Sequence, residues 1–206
     1  MVSISIVLLT FNRKEIVDKV VRDNIKKAGY EIKEIIWVDN GSSDGVDLSD
    51  IADVSIRHKK NTGVGKGYNT GFRLATGDVV VVPGTDMYLP EGWLKNFTNF
   101  GENLKIKATN GSFAYKKECF TKYGYLREDF GLYGRDEEEY GSRINCRIKM
   151  VEIEGAKHYG VQGSEEYNKN EEYEYWKMKN EETNNKEKLA KLKELTIKKE
   201  YYNPYG

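Results

Sequence analysis

Three aspartates in the first ninety residues stand where an apolar run gives way to a loop. Asp39 ends IIWVD, Asp44 lies in the NGSSDG that follows, and Asp86 comes after VVVV and Pro83-Gly84-Thr85. A carboxylate so placed can accept hydrogen bonds from a ribose hydroxyl or a base N–H. As a hard oxygen ligand, it can also hold Mg²⁺ or Mn²⁺ against phosphate oxygens. Asp39 equally suits an Asx-turn with the following Asn-Gly, and Asp44 a turn cap. Asp86 needs a second ligand to hold a metal, and the chain has only 2 histidines. His158, in AKHYG, is the candidate; the alternative is an ordinary surface histidine. His58, beside basic residues, reads as structural or solvated.

Two further segments carry chemistry. NTGVGKGYNTG holds Gly63, Gly65, Gly67 and Gly71 around Lys66. No Ser or Thr follows Lys66, so this is not a P-loop, and it does not follow the first strand as a dinucleotide fingerprint would. Glycines still allow close approach of backbone to a ligand, and Lys66 can meet a phosphate or simply be solvated. Asn61 and Asn69 are expected to hold the loop together. GRDEEEYGSR, spanning Gly134 to Arg143, is the other. On a helix Asp136 and Glu139 share a face, as do Glu139 and Arg143. A carboxylate facing a cleft can act as general base toward a hydroxyl; the alternative is a charged face with internal salt bridges.

The elements that must position these groups follow from apolar patterning. Strands are expected at Ser3–Leu9, Ile32–Val38, Val54–Arg57 and Val79–Val82. A helix from Arg13 to Ala28, with Asn12 as N-cap and Gly29 as stop, separates the first two. A glycine-containing helix, Val64–Thr76, precedes the fourth. Val79–Val82, apolar at every position, suits a mostly parallel sheet covered on both faces. Later come a short helix in GWLKNFTNF, a strand at Gly111–Tyr115, and helices at Lys116–Tyr123 and Arg135–Cys146. A strand at Met150–Ile153 closes the series. The fold class is therefore α/β: a Rossmann-like, mostly parallel central sheet flanked by helices. Ligands of such sheets bind beyond the carboxyl ends of the strands.

Composition bounds the function. The 206 residues carry 33 basic and 33 acidic side chains, so a protein built to grip nucleic-acid backbone is not expected. Cys119 and Cys146 form no metal or disulfide pattern; Cys146 is expected to pack within a helix. No apolar run reaches transmembrane length. A cytoplasmic location is the default expectation, with any membrane association made through partners. The charge falls into two regimes. Residues 165–206 hold nine lysines and ten glutamates without Arg or Asp, and 19 of the 20 glycines precede them. The expected organisation is a catalytic domain over 1–164 and a charged helical extension over 165–206.

Taken in order, SIVLLTFNR, IIWVDNGSSDG, NTGVGKGYNTGFRLATGD, VVVVPGTDMYLPEGW and GRDEEEYGSR resemble family 2 glycosyltransferases of the nucleotide-diphospho-sugar transferase (GT-A) fold. The resemblance covers roughly residues 3–160. It implies transfer of a hexose from a nucleotide diphosphate sugar to a hydroxyl of a glycan or other acceptor, with inversion at the anomeric carbon. It implies that Thr10, Phe11 and Asn12 line the nucleotide site with Asp39, joined by Asn61, Gly65, Lys66 and Thr85. The family's Asp-x-Asp metal motif reads Gly84-Thr85-Asp86 here. Its first carboxylate is absent; Asp86 matches the metal-contacting last one, and His158 a late histidine that completes coordination of Mn²⁺ or Mg²⁺. The catalytic pair corresponds to Asp136-Glu137, either of which can be the base, with Gly134 permitting the turn that presents them.

Two rival readings share these features. A sugar-phosphate nucleotidyltransferase would show a glycine-rich basic loop after the first strand, where this chain has TFNRKEI. A non-catalytic protein binding carbohydrate or nucleotide sugar would explain the altered metal motif. Uridine is the expected base, then thymidine. Trp93, Phe113, Tyr115, Tyr125 and Tyr133 can stack on acceptor sugars or be core. The oligomeric state is not legible.

Overall fold

The structure, a computed structural model, describes residues 2–109, 111–129 and 136–159. The expected charged extension, Gly134 and Tyr133 lie outside the described residues. The first half follows the apolar patterning: β1 (Ile4–Thr10), α1 (Lys14–Lys26), β2 (Glu34–Asp39), β3 (Val54–Arg57), α2 (Val64–Leu74) and β4 (Val79–Val82). The second half is more finely divided. It comprises β5 (Met87–Tyr88), a 3₁₀ turn (Trp93–Phe97), β6 (Lys105–Ala108), β7 (Phe113–Lys116) and α3 (Glu118–Tyr123). After these come α4 (Asp136–Arg143), β8 (Ile148–Val151) and β9 (Lys157–His158).

Seven strands form one sheet in the order β3-β2-β1-β4-β7-β6-β8. Every neighbouring pair is parallel except the two made by β7. Because successive side chains of a strand point to opposite faces, β1 feeds two cores. Ile4, Ile6 and Leu8 pack with Val17, Val20 and Val21 of α1 and with Trp93 and Phe97. Val7 joins Ile36, Phe72 of α2, and the aromatic group Phe113, Tyr115 and Tyr140. Trp93, Phe113 and Tyr115 are thus core, not stacking platforms.

The glycines of α2 set how close that helix lies to the sheet. A Cβ at Gly71 would sit 2.4 Å from Val7 Cγ1, and one at Gly67 would sit 2.6 Å from Leu9 Cδ1. These two glycines serve helix-on-sheet packing rather than ligand approach. Gly71→Ala is therefore expected to lose about 1–3 kcal/mol through overpacking, although Ala favours helix by roughly 1 kcal/mol. Thermal melts check it: the Gly71→Ala, Val7→Ala double variant should recover part of the loss.

Several boundaries differ from expectation. α1 starts one residue late because Asn12 and Arg13 adopt left-handed backbone, at φ 54 and 66. Asn12 is not its cap: its side-chain oxygen accepts from Ser43 N (2.9 Å). Asp44 instead reaches back 30 residues and accepts from Lys14 N at 2.7 Å, satisfying one of the helix's orphan donors. α4 ends at Arg143 because Asn145 and Cys146 turn left-handed, at φ 57 and 52, so Cys146 is exposed outside the helix rather than packed in it. β8 consequently begins at Ile148 instead of Met150.

Candidate active site

Parallel β1 has β2 on one side and β4 on the other, and the chain reverses its direction of progress across the sheet there. At such a switch point the loops after adjacent strands diverge and leave a crevice. Thr10 and Asp39 end β1 and β2 as register partners, and Asp86 follows β4. Thr10 is 1% exposed and its hydroxyl accepts from Trp37 Nε1 at 2.9 Å, so it supports the crevice floor instead of lining it. Phe11, which follows it, is half-buried. Thr85 Oγ1 donates to Leu9 O at 3.2 Å, tying the β4 loop to β1.

Asp39 is fully buried. Its Oδ1 accepts from both the backbone N–H (3.0 Å) and the hydroxyl of Ser42, which is the Asx-type turn its sequence context allowed. Its Oδ2 has Arg57 Nε at 2.6 Å as an ion pair but accepts no aligned hydrogen bond. One oxygen thus builds the loop and the other keeps acceptor capacity. Next to it, Asn40 Nδ2 donates to Asn61 Oδ1 (2.9 Å) and Gly63 O (3.1 Å). Asn61 Oδ1 also receives Gly63 N at 2.9 Å. Asn61 therefore shapes the glycine loop, whereas Asn69 exchanges hydrogen bonds with the Leu126 backbone (2.8 and 3.0 Å) and so ties α2 to the segment around Leu126. His58 is structural. Its Nδ1 lies 2.9 Å from Asn40 Oδ1 and its Nε2 lies 3.1 Å from Thr70 Oγ1, and burial holds its pKa below the usual value. Lys66, in the first turn of α2, ion-pairs with no carboxylate among the described residues.

The pairing of Asp86 with His158 depends on a feature absent from the sequence reading. β5 and β9 form a two-residue antiparallel ribbon in which Met87 faces His158. Tyr159 N also donates to Asp86 O at 2.8 Å. His158 Nε2 thereby comes to 3.4 Å from Asp86 Oδ2. Arg13 Nη1 meets the same oxygen at 2.9 Å. Carboxylate with imidazole is a donor set that suits Mn²⁺ better than Mg²⁺. No cluster of three or more potential ligands occurs among the described residues, so a divalent ion fits only if diphosphate and water oxygens complete its shell. Gly84, where the motif's first carboxylate would stand, has no room for one here: a Cβ would lie 2.3 Å from Met87 Cγ.

Asp136 and Glu137, which the sequence left interchangeable, are separated by their surroundings. Glu137 Oε2 is held by Lys107 (3.0 Å) and by Lys105 (3.3 Å). Asp136 opens α4, is 3% exposed, and has an Oδ2 without a hydrogen-bond partner among the described residues. Burial pushes its pKa up to about 7; Glu137 adds to the rise and Lys105 opposes it. A Cβ at Gly65 would meet Arg127 O at 2.5 Å and Asp136 Oδ2 at 3.8 Å, so the start of α2 and the start of α4 share this pocket. Arg143 binds Glu139 (2.7 Å) and the carbonyls of Tyr123 and Tyr125 (each 2.8 Å), fixing the segment before α4. Lys105 was not anticipated. It is 1% exposed, with its ammonium 5.1 and 5.0 Å from the Phe113 and Tyr115 ring centres. A polar lysine in KIKA gives no signal of burial; only the sheet position of β6 does.

A mostly parallel central sheet flanked by helices, with a switch-point crevice beside β1, is the architecture of the GT-A class of Rossmann-like folds. The model of glycosyl transferase family 2 matches residues 5–152, and the chain belongs to that family. No curated protein matches the sequence. Among solved structures, the mannosyltransferase PcManGT from Pyrobaculum calidifontis, in complex with GDP-Man and Mn²⁺, is 19% identical with a TM-score of 0.58. The match covers 73% of this chain and 54% of that one. Glucosyl-3-phosphoglycerate synthase from Mycobacterium tuberculosis, with Mn²⁺, UDP and glucosyl-3-phosphoglycerate, is 18% identical with a TM-score of 0.59, over 80% of this chain and 74% of that one. S. aureus TarS 1-349 with UDP-GlcNAc is 14% identical with a TM-score of 0.62, over 79% and 60%. The chain spans between about half and three quarters of these relatives' lengths. At such identities they share its fold. No helix among the described residues is long and apolar enough to cross a membrane.

Proposed function

We propose that the chain transfers a hexose from a nucleoside diphosphate sugar, UDP-linked in the first instance, to a hydroxyl of a glycan or other acceptor with inversion. The observation that carries this is the division of labour among carboxylates. Asp39 pairs one oxygen with Arg57 without an aligned hydrogen bond, Asp86 converges with His158, and Asp136 is buried, with an oxygen that no described residue hydrogen-bonds and a pKa pushed up to about 7. A base poised near neutrality is what proton abstraction from an alcohol requires. The Mn²⁺ and GDP-Man bound by PcManGT and the UDP-GlcNAc bound by TarS support the same reading.

Asp136 Oδ2 takes the proton of the acceptor hydroxyl. That oxygen forms a bond to the anomeric carbon from the face opposite the diphosphate. The carbon–oxygen bond to the diphosphate breaks, and the nucleoside diphosphate leaves with the electron pair. Glu137, neutralised by two lysines, stays out of the proton transfer. Asp86 and His158 would hold the divalent ion, Mn²⁺ before Mg²⁺, whose charge offsets that growing on the leaving group.

The test is turnover of a panel of UDP-, dTDP- and GDP-sugars with Mn²⁺, Mg²⁺ or EDTA. Release of nucleoside diphosphate that stops with EDTA is expected. Release of pyrophosphate from a nucleoside triphosphate and sugar phosphate would mark a nucleotidyltransferase instead, and tight binding without turnover would mark a non-catalytic protein. Because Asp136 must be ionised to act, kcat should rise with pH through about 7 and level off above it. A profile already flat from pH 5 would exclude Asp136 as the base.

A further inference from the structure

We propose that Arg13 keeps the metal carboxylate occupied until a diphosphate arrives, so that nucleotide and divalent ion load as a coupled pair. This rests on reading Asp86 and His158 as the metal ligands. Arg13 Nη1 lies 2.9 Å from Asp86 Oδ2, the same oxygen that stands 3.4 Å from His158 Nε2. An ion entering between Asp86 and His158 would meet the guanidinium charge at close range, where like charges repel strongly in a partly desolvated site.

The backbone that carries the guanidinium is anchored, while the side chain can swing. Arg13 carries left-handed backbone, and its carbonyl accepts from Ile16 N and Val17 N at 3.0 and 3.1 Å, the first bonds of α1. Its neighbour Asn12 is clamped by the Ser42 hydroxyl (2.8 Å) and Ser43 N (2.9 Å), and Ser42 is in turn held by Asp39. The loop that carries the nucleotide carboxylate therefore also fixes the root of Arg13.

The side chain is incompletely satisfied. Arg13 Nη2 is buried and has no hydrogen-bond partner among the described residues. A buried charged donor left unpaired costs free energy, and an arriving oxygen acceptor removes that cost. A diphosphate offers paired oxygens that match the guanidinium fork. Turning toward them releases Asp86 Oδ2 to the ion, and the ion's charge then adds to the hold on the same diphosphate. Linkage makes the effect reciprocal: UDP strengthens Mn²⁺ binding by the same factor as Mn²⁺ strengthens UDP binding.

Mn²⁺ binding to the full chain, followed by the electron paramagnetic resonance of free ion with and without UDP, tests this. Arg13→Gln should bind Mn²⁺ alone about five- to tenfold more tightly than the unsubstituted chain, the lower range of couplings between sites. UDP should tighten Mn²⁺ binding in both, because its diphosphate oxygens complete the ion's shell, but by a larger factor in the unsubstituted chain than in Arg13→Gln. Arg13→Lys keeps the charge without the fork and should fall between them; it carries the test if Arg13→Gln fails to fold by near-ultraviolet circular dichroism. Equal Mn²⁺ affinity without UDP in all three, with Asp86→Asn abolishing binding, overturns the coupling and leaves the metal site standing. Unchanged Mn²⁺ binding in Asp86→Asn overturns the metal site and the coupling together.

Discussion

Asp136→Asn should lower kcat by about 10²–10⁴-fold while raising the melting temperature at pH 8. The two effects have one cause. Burial places the folded-state pKa near 7, above the ordinary 3.8. With the folded pKa raised, the folded chain binds more protons than the unfolded chain between about pH 4 and pH 7. Stability therefore falls as pH rises through that window and stays low above it. Each tenfold change in proton affinity is worth about 1.4 kcal/mol, so ionising Asp136 costs the fold on the order of 4 kcal/mol at most. Asn carries no such charge, and a gain on the order of 5 °C is expected at pH 8, vanishing near pH 4. Glu137→Gln, which removes the partner of two lysines, should instead destabilise and leave more of the turnover. The measurement is kcat alongside melting curves from pH 4 to pH 8. Loss of turnover in Glu137→Gln with turnover retained in Asp136→Asn would reverse the assignment.

The second large effect is expected from Asp39→Ala. Its Oδ2 is offered as the acceptor for a base or ribose donor, and a hydrogen bond to a charged group is worth about 1.5–3 kcal/mol. UDP affinity by calorimetry should therefore fall roughly 10- to 150-fold. The melting temperature should drop too, because Oδ1 holds Ser42 and through it the loop that seats Asn12. Asp39→Asn separates the two roles. Asn keeps an oxygen for Ser42 but places an NH₂ beside Arg57 and the nucleotide, so affinity should fall while stability is largely kept. Unchanged UDP affinity in Asp39→Ala would remove Asp39 from the nucleotide site.

β1, β2 and β4 were legible because they are buried on both faces and read as largely apolar runs, and β3 at the sheet edge because its VSIR alternates half-buried with exposed positions. β6 was not, since its face toward α4 is lysine, and burial of Lys105 depends on Glu137, 32 positions away. The candidate residues were legible as types at strand ends. Their division into roles was not: Asp136 and Glu137 are adjacent in sequence and chemically alike. Only the ion pairs that claim Glu137 and the pocket that isolates Asp136 distinguish them. The burial of Thr10 was not legible for a similar reason, because a threonine ending a strand carries no mark of the indole N–H that donates to its hydroxyl. Arg13 gave no signal at all in FNRKE, as nothing local predicts a partner 73 residues on.

The ribbon of β5 and β9 has a bearing on how the protein is made. Asp86 leaves the ribosome long before His158, and only two residues of each strand pair to bring them together. A nascent chain already long enough to order β1 to β4 would present the nucleotide loop and Asp86 without the imidazole. The carboxylate–imidazole pair is thus completed late in synthesis, so the proposed metal site forms only after α4 has also emerged.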